Sequence, residues 1–327
     1  MDPVDRYERA LVDVFKQTPS KHAAHERSRP ILADMIGDRA FLSAMLTRYV
    51  ADPALLGRLN YPVVAIDGPL NEYFGLVVNC WIPLPDRRSD ISSKAIHHHG
   101  DMLLTTGTIL GPGYVHWTFT RPQLVDAERE IFDFDVTTRE QHGAGHIAFV
   151  DNHEPHLPWY PTDLSITLCL WSSRHPTTWR DRIKRIPALK NNEQKLRRLA
   201  TLTGLDRIAN RVMDLKVIEY FDFYPTPDGM KGMRERDEHK RGPNADHLCS
   251  FFHVLQRTGH ESLARPIAEH LDGGRLDDRA TVSRLLDDLR RGNPIEGKLS
   301  SCHLDLPHTM FTQDDVTAAL AARKHGR

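Results

Sequence analysis

The sequence predicts an α+β protein: an antiparallel β core over 61–178, set between an N-terminal helical segment (1–60) and a C-terminal helical region (179–327). Three observations predict it. Apolar residues recur three and four positions apart before residue 60 and again after 180. Between those stretches, short β-branched and aromatic runs alternate with glycine, proline and aspartate turns. A hydrophobic content of 40% over 327 residues is enough to bury at least one full core.

Each element can be justified in order. "VDRYERALVDVF" places Leu11, Val14 and Phe15 at helical spacing, and "DRAFLSAMLTRYV" repeats the amphipathic pattern. From Tyr61 the period changes. "YPVVAIDG" and "YFGLVVNCWIPLP" read as strands, followed by "MLLTTGTILG", "YVHWTFT", "EIFDFDVTT", "GHIAFVD" and "LSITLCLWS". Helical texture returns in "EQKLRRLATLTGLDRIANRVMDLKVIEYF", "ADHLCSFFHVLQRTG" and "ESLARPIAEHLDGG". "RATVSRLLDDLRRGNP" stops at Gly292 and Pro294, and "TQDDVTAALAARK" opens on a Thr312-x-x-Asp315 variant of the capping box. Charged and rich in turn residues, "YPTPDGMKGMRERDEHKRGPN" reads as a long loop or a lid.

Charge and composition exclude several function classes. Lysine plus arginine (43) nearly cancel aspartate plus glutamate (44), so no global field favours nucleic acid or an anionic membrane. No apolar run approaches the roughly 20 residues of a membrane helix, and the expectation is a soluble, cytoplasmic protein. Cys80, Cys169, Cys249 and Cys302 are widely scattered, as reduced thiols would be. Histidine is the anomaly, with 19 residues of the commonest metal-ligand type.

Three of them are consecutive, in "KAIHHHGDML". On an extended chain His97 and His99 share a face and His98 takes the other. A third ligand from a distant strand would complete a facial set with open positions for substrate and oxygen or water. It is expected from "GHIAFVDNHEPHLPW", with His156 preferred because it enters a strand and His153 second because it sits in a polar turn. His116 and His146 rank behind them, as pocket-lining or outer hydrogen-bonding residues. Against this stands an exposed loop that merely carries three imidazoles.

The series "LVVNCWIPLP…IHHHG…TGTILGPGY…HEPHLPW…ITLCLWS" resembles the cupin superfamily, and most of all its cysteine-dioxygenase-like branch, over about residues 73 to 175. The lead-in is Trp81-x-Pro83. His97 and His99 occupy the His-x-His positions, and His156 or His153 the later one. The resemblance implies a β-barrel that holds Fe(II) through three neutral imidazoles, an oxidoreductase using O2. Two departures qualify it. Trp171 stands where thiol dioxygenases place a catalytic tyrosine, and Asp101 lies too close to His99 to be the carboxylate of many other cupins. Oxidation of a substrate other than cysteine, larger and partly enclosed by the helical flanks, is therefore expected.

Three neutral histidines leave the full charge of a divalent metal, which would draw in an anionic amino, hydroxy or thiol acid. Along "LSITLCLW", Thr167, Cys169 and Trp171 share one face, and Ile166, Leu168 and Leu170 the other. Trp171, His116 and Arg174 are the candidate catalytic residues, with Arg87, Arg88 and Arg121 as further carboxylate clamps. Competing readings keep the histidines but use Zn or Mn for isomerase, lyase or hydrolytic chemistry, or make the chain a non-catalytic small-molecule binder with a helical partner-binding region. A homodimer through those helices is a further expectation.

Overall fold

The computed structural model describes residues 1–52, 55, 63–173, 221–233, 244–270, 278–297 and 310–322. The chain opens with three helices. In α1 (Pro3–Gln17) the Asp2 side chain accepts from the Val4 amide at 2.8 Å, and Pro3 stands where the helix has no amide bond to lose. Its buried Val4, Tyr7, Leu11 and Phe15 form a single stripe. α2 (Lys21–Gly37) and α3 (Arg39–Ala51) start at Ser20 and Asp38, whose side chains accept from Ala23 and Ala40.

Thirteen strands follow among the described residues: β1 (Val63–Leu70), β2 (Gly75–Trp81), β3 (Ile96–His97), β4 (Met102–Leu110), β5 (Val115–Phe119), β6 (Gln123–Asp126), β7 (Ile131–Asp133), β8 (Val136–Gln141), β9 (Ile147–Val150), β10 (His156–Pro158), β11 (Ser165–Ser173), β12 (Asp222–Thr226) and β13 (Gly229–Met233). They form two sheets, in the orders β1-β2-β11-β4-β9 and β6-β7-β13-β12-β3-β10-β5-β8, with every pairing antiparallel. The α+β class read from the sequence is the class observed.

Alternation along β11 divides the molecule. Ile166, Leu168 and Leu170 are fully buried in one apolar cluster with the residues of α1, α2 and α3, each burial contributing about 1.5–3 kcal/mol. Cys169 and Trp171 face the opposite way, into the space between the sheets. Trp171 pairs with Gly75, where a Cβ would come within 2.4 Å of the indole, so the ring fits only over a glycine.

The described carboxyl-terminal elements are α4 (Asn244–Thr258), a 3-10 turn at Glu261–Leu263, α5 (Ala264–His270), α6 (Arg279–Arg291) and α7 (Gln313–Ala322). α6 ends at Gly292 with φ 71°, as expected. Before α7 the capping box is formed: Asp315 N–H donates to Thr312 Oγ1 at 3.1 Å, and Thr312 N–H to Asp315 Oδ2 at 2.7 Å. α4 and α6 join the cluster on the five-stranded sheet, whereas Val316 and Ala319 of α7 cover the outer face of the other sheet.

Two expectations need correction. Residues 224–233, read as the start of a loop or lid, form the body of the β12–β13 hairpin, and β12 pairs with β3 (Asp222↔His97, Phe223↔Ile96). Phe223 and Met230 are buried in the outer cluster, and "TPDG" is the hairpin turn, with Thr226 Oγ1 donating to Gly229 O at 2.9 Å. "EIFDFDVTT" is not one strand but β7 and β8, because the Asp135 amide turns aside to donate to Thr120 Oγ1 at 2.9 Å. Helix "EQKLRRLATLTGLDRIANRVMDLKVIEYF" falls almost wholly outside the described residues, as do "RERDEHKRG" and Cys302. No helix among the described residues is long and apolar enough to cross a membrane.

Candidate metal centre

β3 lies between β12 and β10, with His97 and His156 directly opposed. Opposed residues of an antiparallel pair project on the same face, and His99, two positions past His97, joins them. Ring centroids are 4.2 Å apart for His97 and His156, 5.0 Å for His97 and His99, and 4.9 Å for His99 and His156. One nitrogen from each lies within 4.8 Å of the others, so the group could hold a metal ion. This is the set preferred from the sequence.

The hydrogen bonds select the tautomers such a site needs. His97 Nδ1–H donates to the Ala95 carbonyl at 2.9 Å, which leaves Nε2 enclosed and without a hydrogen-bond partner. His156 Nδ1 faces the Glu154 carbonyl at 3.4 Å in the same sense. Burial holds both rings well below the ordinary histidine range, helped by the Lys94 ammonium and by the neighbouring imidazoles. His97 and His156 are therefore neutral, each with its Nε2 left as the acceptor nitrogen. A buried polar atom without a partner costs about 1–3 kcal/mol, and a cation would remove that cost for His97.

Between the sheets lies a cavity of about 230 Å³. Asn79, Trp81, Thr106, Cys169 and Trp171 line it from the five-stranded sheet, and Lys94, Tyr114 and His116 line it beside the cluster. His116 pairs with Pro158, which puts it on the cluster's face, 5.3 Å from His156 between ring centroids. Burial, then the nearby His142, keeps His116 neutral. Cys169 is a free thiol, pushed up to about 11 by burial, and Asn79 Nδ2 donates to its sulfur at 3.3 Å. Cys80 and Cys249 are buried thiols outside any disulfide, and Cys249 Sγ donates to Glu296 O at 3.2 Å.

The expected clamps are placed less favourably. Arg174 lies outside the described residues. Arg87 is spent on Asp163 at 2.7 Å, Arg88 on Asp90 at 2.6 Å, and Arg121 is exposed. The cation that the fold brings to the cavity is Lys94, two residues before Ile96 and not singled out in the sequence. Tyr114 was missed too. It supplies a phenol from β4–β5 to the cavity where Trp171 supplies none, and burial raises it, so that it stays protonated. Both residues open runs that the sequence marks for other members, Lys94 in "KAIHHHGDML" and Tyr114 in "YVHWTF".

His153, the second choice, is turned elsewhere. Its φ of 56° belongs to a tight turn whose amide donates to Gly100 O at 2.8 Å, and its Nε2 contacts Asp101 Oδ1 at 3.0 Å. His98 does face away from the cavity, yet not toward water: it is 4% exposed, packed on Phe221 and Phe223, and its Nδ1 accepts from the Gly100 amide at 3.1 Å. His146 does not line the cavity. It groups with Glu140 and His142, and burial holds His142 down to about 3. The described helices lie outside the sheets, so among these residues none encloses the larger substrate expected from the sequence.

No family model matches the chain, and no curated protein matches it. Solved structures similar to it include the cupin domain of Schizosaccharomyces pombe Cnp3, at 7% identity and a TM-score of 0.25, covering 36% of this chain and 68% of that one. An RmlC-like cupin from Shewanella frigidimarina matches at 10% identity and a TM-score of 0.22, over 36% of this chain and 81% of that one. Oxalate decarboxylase from Bacillus subtilis matches at 14% identity and a TM-score of 0.24, over 42% of this chain and 33% of that one. These neighbours do not single out the cysteine-dioxygenase-like branch, and at TM-scores this low the likeness decides neither lineage nor chemistry.

Proposed function

We propose that the chain is a mononuclear metal-dependent enzyme acting on a small anionic acid, with Fe(II) at His97, His99 and His156 and O2 as oxidant. The observation that carries it is the enclosed, unpartnered Nε2 of His97 beside two further imidazoles on one face of a cavity. A bound divalent metal would supply Lewis acidity and, as Fe(II), a site for oxygen activation. Every other role belongs to the chain.

Lys94 offers the charge that a substrate carboxylate needs, at the edge of the same cavity. The Tyr114 phenol, protonated throughout the physiological range, can donate a hydrogen bond to a substrate oxygen. Trp171, Val77 and Leu104 give the cavity an apolar wall against which the carbon skeleton of such an acid can pack. About 230 Å³ is below the roughly 300–1,000 Å³ of drug-sized sites and favours a molecule of amino-acid or thiol-acid size.

A second reading uses Zn or Mn for lyase or isomerase chemistry. Supporting it are Tyr114 and the neutral His116, two groups able to give or take a proton in the same cavity. Anaerobic purification, metal analysis and Fe(II) reconstitution, followed by oxygen-uptake screening against amino, hydroxy and thiol acids, test the first reading. Oxygen uptake that needs both Fe(II) and His97 supports it. Substrate turnover without oxygen uptake transfers the case to the second reading. Lys94→Met should raise KM for the acid about 10-fold or more, the loss of one charged hydrogen bond.

A further inference from the structure

A second group of ligand-type side chains stands outside the three-histidine cluster and is not used by the proposed chemistry. Glu140 and His142 are two positions apart at the end of β8 and share a face. The turn that follows passes through Gly143 and Gly145, the latter at φ 81°, and returns His146 so that its ring stacks on His142, with centroids 4.6 Å apart and planes at 23°. Bonds to Thr108 fix this turn: Gly145 N–H donates to Thr108 O at 3.1 Å, Thr108 N–H to His146 O at 3.2 Å, and the Thr108 hydroxyl to His142 O at 2.7 Å.

Both imidazole Nε2 atoms approach one carboxylate oxygen. Glu140 Oε2 is 4.0 Å from His142 Nε2 and 3.7 Å from His146 Nε2. Neither is a hydrogen-bond distance. His146 Nε2 is enclosed and has no hydrogen-bond partner, and the same holds for His142 Nδ1. One ligand atom from each of the three residues lies within 4.8 Å of the others. Zinc–nitrogen and zinc–oxygen bonds of about 2.0–2.2 Å in a tetrahedron set ligand atoms some ~3.3–3.5 Å apart. Glu140, half exposed at 50%, has the freedom to close the remaining few tenths of an ångström.

We propose that Glu140, His142 and His146 form a second divalent-cation site, of the two-imidazole, one-carboxylate type that suits zinc, with a fourth position left to solvent. A cation there would clamp the β8–β9 turn. It would also fix His142, whose ring lies 4.5 Å from that of His116 in the cavity wall.

The test uses the full chain and Zn(II). In His99→Ala protein, with the first cluster disabled, dialysis against micromolar Zn(II) at neutral pH followed by elemental analysis should leave one zinc per chain. Adding Glu140→Gln or His146→Gln should each remove it, lowering affinity by at least the roughly 10–100-fold that loss of even an outer-shell partner costs. Co(II) should give visible d–d bands in His99→Ala protein that both second substitutions abolish. Both changes fall on partly exposed side chains, and unaltered thermal unfolding of the metal-free variants would show that the fold persists; His142, being buried, is left intact. Absence of zinc in His99→Ala protein, or zinc that survives both second substitutions, overturns the proposal.

Discussion

His97 and His98 are neighbours in sequence and almost equally buried, at 6% and 4% exposure, yet they stand in opposite surroundings. His97 meets two further imidazoles, His99 and His156, which line the cavity, and feels the charge of Lys94, which lines it too. His98 packs on Phe221, Phe223 and one imidazole, His153, at 5.5 Å between ring centroids, and takes a hydrogen bond from the Gly100 amide. Burial alone therefore does not mark a ligand. What differs is whether the hydrogen bonds of the ring leave a lone pair turned toward like partners, and that is set by which side of the sheet the residue occupies.

The largest effect that can break this contrast is on metal content. His97→Ala or His156→Ala should lower metal affinity on the order of 100-fold or more, read by elemental analysis after Fe(II) reconstitution, while His98→Ala protein keeps its full complement. Equal losses in all three would erase the distinction between the faces.

Acid should expose a second difference, between imidazoles held neutral by burial and those in water. His25, hydrogen-bonded to Thr105 and Ser172 between α2 and the five-stranded sheet, is held down to about 3 by burial and by the charges of His22 and Lys21. The unfolded chain, with its histidines near 6.5, then binds more protons than the folded one. Stability is complete above that value and falls as pH drops toward 3, by about 1.4 kcal/mol per pH unit for each such residue. Urea unfolding at pH 7 and pH 5 should show a loss of roughly 2 kcal/mol that is traceable to His25 by comparison with His25→Gln protein. His25→Gln should flatten the slope; an unchanged slope would mean that His25 is not a neutral core residue.

Smaller still is the effect on stability of His98→Ala, about 1–3 kcal/mol from lost ring packing and an orphaned Gly100 amide, measured by chemical denaturation. His153→Ala, which gives up a part-exposed contact with Asp101, should cost no more than ~1 kcal/mol and leave metal content untouched. Loss of metal in that variant would restore His153 as the third ligand.

Much of this was legible because a strand has only two faces. The period of two assigned His97 and His99 together, and it sorted Ile166, Leu168 and Leu170 from Cys169 and Trp171 without any knowledge of partners. The third histidine was legible from its position at the mouth of a strand. Lys94 and Tyr114 were not, because one lysine or tyrosine in a loop carries no local mark of the cavity it will border. The β12–β13 hairpin was hidden for another reason: proline, aspartate and glycine mark a turn equally well in a loop and between strands, and the pairing of Phe223 with Ile96 is a long-range fact. Glu140-x-His142 with His146 after a glycine turn is written in "EQHGAGH", but only the turn at Gly145 brings the two rings together, and that is set by bonds to distant Thr108.

The pairing of β12 with β3 bears on how the protein is made. During synthesis His97 emerges long before Asp222, and until the later segment arrives one side of β3 is an open edge beside β10 alone. Ribosome-bound chains that end before residue 222 therefore carry every residue of the three-histidine set without the strand that braces it. Under the proposed metal role, chains truncated before Asp222 should bind a divalent ion more weakly than the full chain, measured by elemental analysis after metal reconstitution.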